Sequence, residues 1–276
     1  MSDILTADEA DYVRSIWSKF PESKAYQEIK KVISRNGGIS ASNKDHLLEL
    51  RIAHALLSSG VELAYEVSGE GGSRIDLGFD TGPIAWNVEV FRLNETDALK
   101  LATKTRTMPD GITWTSQVLR DPRYPEDDPT QSVAGETLKV IERICQKLER
   151  GGRARKFSNA GATINVLLVD TRTFLNGGDA LDYIQIALGG ALVAQRERLY
   201  FKGNLLRGVF DPGNNQKGAK NARERLHFIG FLRDKLYDSR SIAAGTTFIA
   251  NHNIFQDYER ARSTITHWPL QPVHLV

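Results

Sequence analysis

The sequence has little cysteine, no long apolar run and almost no net charge. Its single cysteine, Cys145, excludes an intramolecular disulfide and a cysteine-rich zinc site, so we expect a reducing, cytoplasmic environment. The best apolar stretch, 182–195, is short and interrupted by glycine, whereas a membrane-spanning helix needs about 18 apolar residues. The first residues also lack the basic and apolar regions of a signal peptide. We therefore expect neither export nor a membrane partner.

Composition places the chain among ordinary folded proteins. Apolar residues make up 41% and charged residues 25%, which argues against a disordered or coiled-coil chain. The 276 residues are enough for one large domain or for a core with smaller additions. Because 36 Lys and Arg oppose 34 Asp and Glu, bulk charge does not indicate a nucleic-acid partner. Any such contact must come from local basic clusters.

The first part of the chain is predicted to be helical. Apolar residues at helical spacing indicate a helical hairpin over 7–34, interrupted by Pro21. A following helix over 43–59 is apolar nearly all round and should be largely buried. Glu49 lies inside this helix and shares a stripe with apolar residues, so its carboxylate needs a buried partner.

The rest of the chain alternates strands and helices. A β-meander follows the buried helix, because three short apolar segments are separated by glycine- and proline-containing turns. The first of these turns, GEGGS over 69–73, lacks the lysine of a phosphate-binding loop and is interpreted as a hairpin turn. In chain order we predict strands over 61–67, 74–79 and 84–93, a loop over 107–130, a helix over 134–150, a strand over 163–170, helices over 180–188 and 219–236, and a strand over 246–250.

Two carboxylates in this meander indicate chemistry. Asp76 lies in the strand RIDLGF and Glu89 in the strand WNVEVF, where Glu89 shares its face with Asn87 and Phe91. Carboxylates within about 4 Å repel by roughly 4 kcal/mol at an effective dielectric of 20, so a cation must compensate them. Oxygen ligands favour Mg²⁺ or Mn²⁺, whose coordinated waters can attack a phosphodiester.

The order of these elements resembles the PD-(D/E)xK nuclease superfamily, which has the restriction-endonuclease-like fold. The segments that carry the resemblance are LELRIAHALLSSG, VELAYEV, SRIDLGF, IAWNVEVF, ETLKVIERICQKLERGG and TINVLLVD. The resemblance implies an α/β protein with a central mixed β-sheet flanked by helices. It divides the chain into a helical extension over 1–42, a nuclease core over 43–170 and an α/β addition over 171–276.

The resemblance also implies roles for the acids. Asp76 and Glu89 would be metal ligands, and Glu49 would support the site through the metal or its water. Two simpler interpretations stay open beside these roles. In the first interpretation, Asp76 and Glu89 are ordinary solvent-facing strand residues. In the second, Glu49 is a core acid paired with Arg51 or Arg74.

One residue departs from the family pattern. The family places a lysine two residues after the second acid, and this chain has Phe91 there, which can neither donate to water nor stabilise negative charge. We expect Lys147, on the following helix, to take this role, although a solvated helix residue is the simpler interpretation. Arg92 is adjacent in sequence but points to the opposite face of its strand.

Two basic clusters are candidates for contact with a nucleic-acid backbone, although solvated loops explain either one equally well. One follows the helix over 134–150, and the other lies in a segment rich in Gly and Asn. The residues that we assign to nucleic-acid binding are Arg153, Arg155, Lys156, Lys217 and Lys220.

The sequence thus predicts a Mg²⁺-dependent phosphodiester hydrolase acting on DNA. Two symmetric copies would suit a duplex, so a homodimer is a reasonable expectation. One alternative is a catalytically inactive member that keeps the fold for binding nucleic acid or protein, and Phe91 favours it. Another is a small-molecule enzyme, for which a deep apolar pocket should lie away from the acids.

Overall fold

The computed structural model describes residues 5–109, 111–119, 128–234, 237–238 and 240–276. The α-helices are α1 (Ala7–Ile16), α2 (Lys24–Arg35), α3 (Lys44–Ser58), α4 (Asp97–Ala102), α5 (Val133–Lys147), α6 (Ala180–Ala187), α7 (Ala219–Arg225), α8 (Ser241–Ala244) and α9 (Tyr258–Ile265). The strands are β1 (Ala64–Ser68), β2 (Arg74–Thr81), β3 (Ile84–Arg92), β4 (Thr103–Thr107), β5 (Thr113–Gln117), β6 (Glu149–Arg150), β7 (Arg153–Ala154), β8 (Thr163–Asp170), β9 (Gly189–Leu192), β10 (Leu205–Arg207), β11 (Phe228–Leu232), β12 (Thr246–Ala250) and β13 (His274–Leu275).

A mixed seven-stranded sheet forms the centre of the protein, in the order β1-β2-β3-β8-β11-β12-β13. The first three strands form the expected antiparallel meander, and β3, β8 and β11 run parallel to one another. Strand β12 is antiparallel to β11 and parallel to β13. The α/β class, with a central mixed sheet flanked by helices, agrees with the expectation.

The sheet is covered on both faces. Strand β8 is an apolar run whose side chains alternate between two cores, with Val166 and Leu168 in one and Leu167 and Val169 in the other. Helices α1, α2, α3 and α9 contribute to the first core, and α5, α6 and α7 contribute to the second. No helix in the described part of the chain is long and apolar enough to cross a membrane.

Most predicted elements around the acids are confirmed, and β8 and β12 match their predicted limits. The predicted helix over 219–236 is wrong, because α7 ends at Arg225 and β11 follows it. The run FIGFL is buried throughout, and such a short apolar run does not distinguish a buried strand from a buried helix. The predicted loop over 107–130 contains β5, which pairs with β4, and its residues 110 and 120–127 lie outside the described residues.

The sheet continues beyond the expected core of 43–170. Strands β11, β12 and β13 come from the predicted C-terminal addition and belong to the same sheet as β1, β2, β3 and β8. Residues after 170 therefore complete the central sheet. The N-terminal helices α1 and α2 pack on the first core through residues that include Val13, Tyr26 and Ile29.

Candidate functional site

Glu89 is the most deeply buried acid of the predicted site. It lies on β3 and is fully inaccessible to solvent. Its Oε1 lies 2.9 Å from the Lys147 Nζ and 2.7 Å from the Lys156 Nζ. Its Oε2 is also buried and has no hydrogen-bond partner among the residues that the structure describes. The interpretation of Glu89 as a solvent-facing strand residue is therefore wrong.

Asp76 lies beside Glu89, where β2 and β3 diverge. The two acids occupy opposed positions one step beyond the strand pair Leu77–Val88, and the backbone N–H of Val90 donates to the Asp76 Oδ2 at 2.7 Å. In a regular antiparallel pair, a backbone carbonyl of the neighbouring strand would accept this hydrogen bond. Here the Asp76 carboxylate accepts it instead. This bond fixes the carboxylate against the strand that carries Glu89.

The charge of Asp76 is poorly compensated. Burial, followed by the charges of Glu89 and Glu49, raises the pKa of Asp76 well above its usual range. Lys156 and the Val90 N–H act in the opposite direction and do not cancel this increase. The ionised form of Asp76 is therefore held at a cost, as expected of a carboxylate that lacks a cation of its own.

Glu49 reaches the site from α3, as the apolar stripe of that helix predicts. It is buried, and its Oε2 accepts a hydrogen bond from the Tyr65 hydroxyl at 3.0 Å and lies 3.2 Å from the His46 Nδ1. The alternative partners of Glu49, Arg51 and Arg74, instead form ion pairs with other carboxylates. That interpretation of Glu49 is therefore wrong, although the expectation of a buried partner is confirmed.

The two partners of Glu49 differ in how they respond to pH. Burial and the charge of Glu49 raise the pKa of Tyr65, so its hydroxyl stays protonated and donates to the carboxylate. The hydrogen bond with Glu49 raises the pKa of His46, although burial acts in the opposite direction. Glu49 therefore has one permanent donor and one titratable partner.

Lys147 occupies the last turn of α5 and points toward Glu89. Its ammonium lies 5.5 Å from the centre of the Phe91 ring, so the Phe91 side chain on β3 packs against this lysine of α5. Burial lowers the pKa of Lys147, and the charges of Glu89, Asp76 and Glu49 outweigh it, so the pKa is raised overall. Lys147 thus stays protonated and acts as a donor rather than as a base.

Lys156 is a second ammonium of the site, and the turn GEGGS holds it in place. Its backbone N–H donates to the Ser73 Oγ at 2.7 Å, and its carbonyl accepts from the Glu70 N–H at 3.0 Å. A Cβ on Gly69 would lie 2.4 Å from this carbonyl, so only glycine permits the approach. Its Nζ also donates to the Arg74 carbonyl at 2.6 Å, two residues before Asp76.

The other residues assigned to nucleic-acid binding lie on the surface. Arg153, Lys217 and Lys220 are exposed, and Arg155 is half-buried. Lys220 lies 3.7 Å from Glu224, a weak exposed pair that leaves its charge available. Lys156 differs from the rest because its side chain is only 13% exposed and contacts Glu89, so the structure brings it into the acid cluster.

The carboxylates of Asp76, Glu89 and Glu49 are an incomplete donor set for a metal ion. Among the described residues, no group of three or more His, Cys, Asp or Glu side chains forms a ready-made metal site. Mg²⁺ needs only one or two carboxylates when water and substrate phosphate complete its coordination. The unpartnered Glu89 Oε2 and the raised pKa of Asp76 fit such a two-carboxylate site, and Glu49 as a third ligand stays a prediction.

The structure brings together the predicted residues Glu49, Asp76, Glu89 and Lys147, and it adds Lys156, which the sequence analysis placed among the nucleic-acid contacts and not among the acids. The sequence around Lys156 gives no sign of this position, because the backbone there adopts a positive φ of 67° that no local pattern predicts. Tyr65 was also missed, although it lies on the first strand after the helix that carries Glu49.

We compared the chain with known proteins in three ways. No family model matches it, and neither a curated protein nor a solved structure is significantly similar to it.

Proposed function

We propose that the protein is a metal-dependent nuclease with a restriction-endonuclease-like core, and that its substrate is DNA. The observation that carries the proposal is the fully buried Glu89, ion-paired to two lysines beside an Asp76 whose charge is not compensated. Burying carboxylates and ammonium groups together is costly for stability alone. Perturbed acids next to lysines are typical of sites that carry out chemistry.

Asp76 and Glu89 would hold the metal ion in this proposal. The free Oε2 of Glu89 and the oxygen of Asp76 that does not accept from Val90 are the available donors. When bound, Mg²⁺ would supply a Lewis acid for the scissile phosphate and a water of lowered pKa. Glu49 would orient this water through an oxygen that Tyr65 and His46 hold in place.

Lys147 and Lys156 would fill the role for which the family pattern expects a lysine in place of Phe91. Both ammonium groups hold Glu89 by the same oxygen, Oε1, which leaves the buried Oε2 without a partner among the described residues. Since the pKa of Lys147 is raised, its ammonium would donate to an attacking water or to a phosphate oxygen. The approach of a lysine from α5 makes a lysine on β3 unnecessary.

The test is a cleavage assay with supercoiled plasmid and single-stranded DNA in Mg²⁺ or Mn²⁺. We expect metal-dependent cleavage by the wild type, and loss of at least about 100-fold in Asp76→Asn and Glu89→Gln. The matched control is Asp80→Asn, because Asp80 lies on the same strand as Asp76 but is exposed. This control should cleave at the wild-type rate.

A nucleic-acid-binding module without catalysis is the second candidate. The specific observation in its favour is that Lys147 and Lys156 already neutralise Glu89 without a metal ion. It predicts DNA binding that weakens with salt, no cleavage in either metal, and equal affinity in the wild type and Glu89→Gln. A homodimer stays a prediction, which sedimentation with and without duplex DNA would test.

A further inference from the structure

A two-stranded ribbon extends from the polypeptide between the strand of Glu89 and the helix of Lys147. It consists of β4 (Thr103–Thr107) and β5 (Thr113–Gln117), which pair with each other and with no other strand among the described residues. The backbone N–H of Val118 donates to the Ala102 carbonyl at 3.1 Å, which closes the base of the ribbon. The ribbon is therefore a separate arm attached next to the candidate site in the chain.

The base of the ribbon is fixed to the body of the protein. Helix α4 precedes it and buries Ala98 and Leu99. The Thr96 hydroxyl, which caps α4, donates to the buried Glu136 on α5 at 2.7 Å. Because α5 also carries Lys147 at its other end, one helix connects the ribbon to the candidate site.

One face of the ribbon combines cations with an aromatic ring. The register pairs Lys104 with Ser116 and Arg106 with Trp114, so these four residues share a face. Trp114 is 67% exposed, and both cations are exposed. Across an antiparallel pair, opposite Cβ atoms lie roughly 5 Å apart, so Arg106 and the Trp114 ring are immediate neighbours.

This face has no partner within the described residues. Neither Lys104 nor Arg106 forms an ion pair there, and no cation lies over the Trp114 ring. The sequence from 97 to 119 contains the cations Lys100, Lys104 and Arg106 and the carboxylates Asp97 and Asp110, and Asp97 pairs with Lys100 at 3.3 Å. An exposed indole beside uncompensated cations matches a ligand that offers a flat ring and negative charge.

We propose that the ribbon face binds a nucleic-acid strand, with an unpaired base stacked on Trp114 and phosphates on Lys104 and Arg106. The inference rests on the proposed function for its substrate and adds the form of that substrate. A base can stack on an aromatic side chain only if it is not already stacked between neighbouring bases, whereas cations contact any backbone phosphate. The ribbon would therefore favour single-stranded or locally unpaired nucleic acid over perfect duplex.

The test measures binding in EDTA, so that cleavage does not contribute. Labelled oligonucleotides of one sequence are titrated as single-stranded DNA, single-stranded RNA, perfect duplex and duplex with one unpaired base, and anisotropy gives the affinity. In Trp114→Ala we expect a loss of about tenfold for the unpaired forms and a smaller loss for the duplex. In the double variant Lys104→Ser and Arg106→Ser, the salt slope for single strands should fall by about 1.4.

Tryptophan fluorescence gives an independent measurement of stacking. Addition of an unlabelled single strand should quench emission in the wild type and in the control Trp17→Phe, but not in Trp114→Phe. For charge, the control is Lys24→Ser, an exposed lysine on α2 whose side chain is 89% accessible and which should bind like the wild type.

The inference is overturned if Trp114→Ala binds every oligonucleotide as the wild type does, and this result leaves the proposed nuclease intact. It is also overturned if the wild type binds no oligonucleotide while Trp114→Ala changes sedimentation or binding to phosphatidylserine vesicles. The face would then contact a second copy or a membrane. Loss of affinity in Trp114→Ala without any cleavage by the wild type contradicts the nuclease and supports the ribbon.

Discussion

Helix α3 contributes one residue to each of two clusters of buried charge, and the carboxylates of these clusters differ in how they are paired with cations. The arginine cluster consists of Glu9, Arg51, Asp170, Arg172 and Asp234, and the lysine cluster consists of Glu49, Asp76, Glu89, Lys147 and Lys156. Each contains three acids and two strong cations. The two clusters differ in how the cations are distributed among the acids, and not in the number of cations.

In the arginine cluster, every carboxylate contacts a guanidinium. Arg51 lies 2.8 Å from Glu9 and also contacts Asp234, while Arg172 lies 2.7 Å from Asp170 and 3.0 Å from Glu9. Burial alone would raise the pKa of Asp170, but the charge and hydrogen bonds of Arg172 outweigh it and lower the pKa. This cluster is compensated internally, as a structural network should be.

In the lysine cluster, both ammonium groups contact Glu89, and neither ion-pairs with Asp76 or Glu49. Burial and the charges of Glu89 and Glu49 raise the pKa of Asp76, opposite in direction to the pKa of Asp170. The comparison teaches that each acid of the arginine cluster is paired with a cation, whereas the lysine cluster leaves the charge of Asp76 without a paired cation. A divalent cation or a protonated group would compensate that charge.

The largest expected effect is on the arginine cluster. Arg51 is fully buried, and the variant Arg51→Met leaves Glu9 and Asp234 without their shared cation. We expect a loss of about 3–5 kcal/mol in the free energy of unfolding. Urea denaturation measures it. Lys147→Met is the comparison, because Lys156 still compensates Glu89, and its loss should be smaller. Equal losses in both variants would remove the distinction between the clusters.

The next effect is on cleavage. Lys156→Met and Lys147→Met should each reduce the rate of DNA cleavage by about 100-fold or more, because each removes a donor beside the reacting groups. Affinity for DNA, measured in EDTA, should change little for both. If Lys147→Met cleaves as the wild type does, Lys147 has no part in the mechanism and Lys156 alone fills the lysine role.

Two matched Asp→Asn substitutions should change stability with opposite signs. Asp170→Asn weakens charge-assisted bonds to Arg172, and we expect a loss of about 1.5–3 kcal/mol. Asp76→Asn keeps an acceptor for the Val90 N–H but removes the uncompensated charge, so the midpoint of thermal unfolding at pH 7 should rise by a few degrees. Thermal unfolding of the wild type and the two variants measures the direction of each change in stability.

The pH dependence of these two acids follows from their pKa directions. The folded pKa of Asp76 is raised, so its contribution to stability declines as pH rises from the unfolded pKa to the folded one. The folded pKa of Asp170 is lowered, so its contribution is present above the unfolded pKa and is lost as pH falls through the folded one. Matching pH profiles of stability for both Asn variants would contradict this assignment.

The smallest expected effect is at His46. Its pKa is raised by Glu49, so its contribution to stability is complete below the unfolded pKa near 6.5 and is lost as pH rises through the folded pKa. The side chain is 32% exposed, so His46→Gln should cost less than about 1 kcal/mol at pH 6 and almost nothing at pH 8. A larger loss at pH 8 would show that His46 acts by packing rather than by charge.

The sequence predicts β2, β3 and β8, the strand face of Glu89 and the burial of Glu49, for physical reasons. Alternation along β3 places Glu89 and Phe91 on one face and Trp86 and Val88 on the other, and the two cores confirm it. The helical stripe that contains Glu49 likewise predicts its burial. Both patterns are local, since each follows from side-chain spacing within one element.

What the sequence misses depends on contacts between distant segments. The arginine cluster joins Glu9 to Arg172, which are 163 positions apart, and no local pattern indicates such a pair. Lys156 reads as a surface cation in RARKF, but the turn at Gly69 and Ser73 draws its backbone inward. The strand β11 was assigned to a helix because its neighbours in the sheet, β8 and β12, are not visible from its own residues.

The most direct test of the central claim is thermal unfolding of the wild type and Asp76→Asn across a titration of Mg²⁺. If Asp76 lacks a cation of its own and binds Mg²⁺, Mg²⁺ will raise the unfolding midpoint of the wild type in a saturable way and leave that of Asp76→Asn unchanged. Asp170→Asn, which alters only the arginine cluster, should respond as the wild type does. An equal response of the wild type and Asp76→Asn to Mg²⁺, or no response of either, would contradict the account.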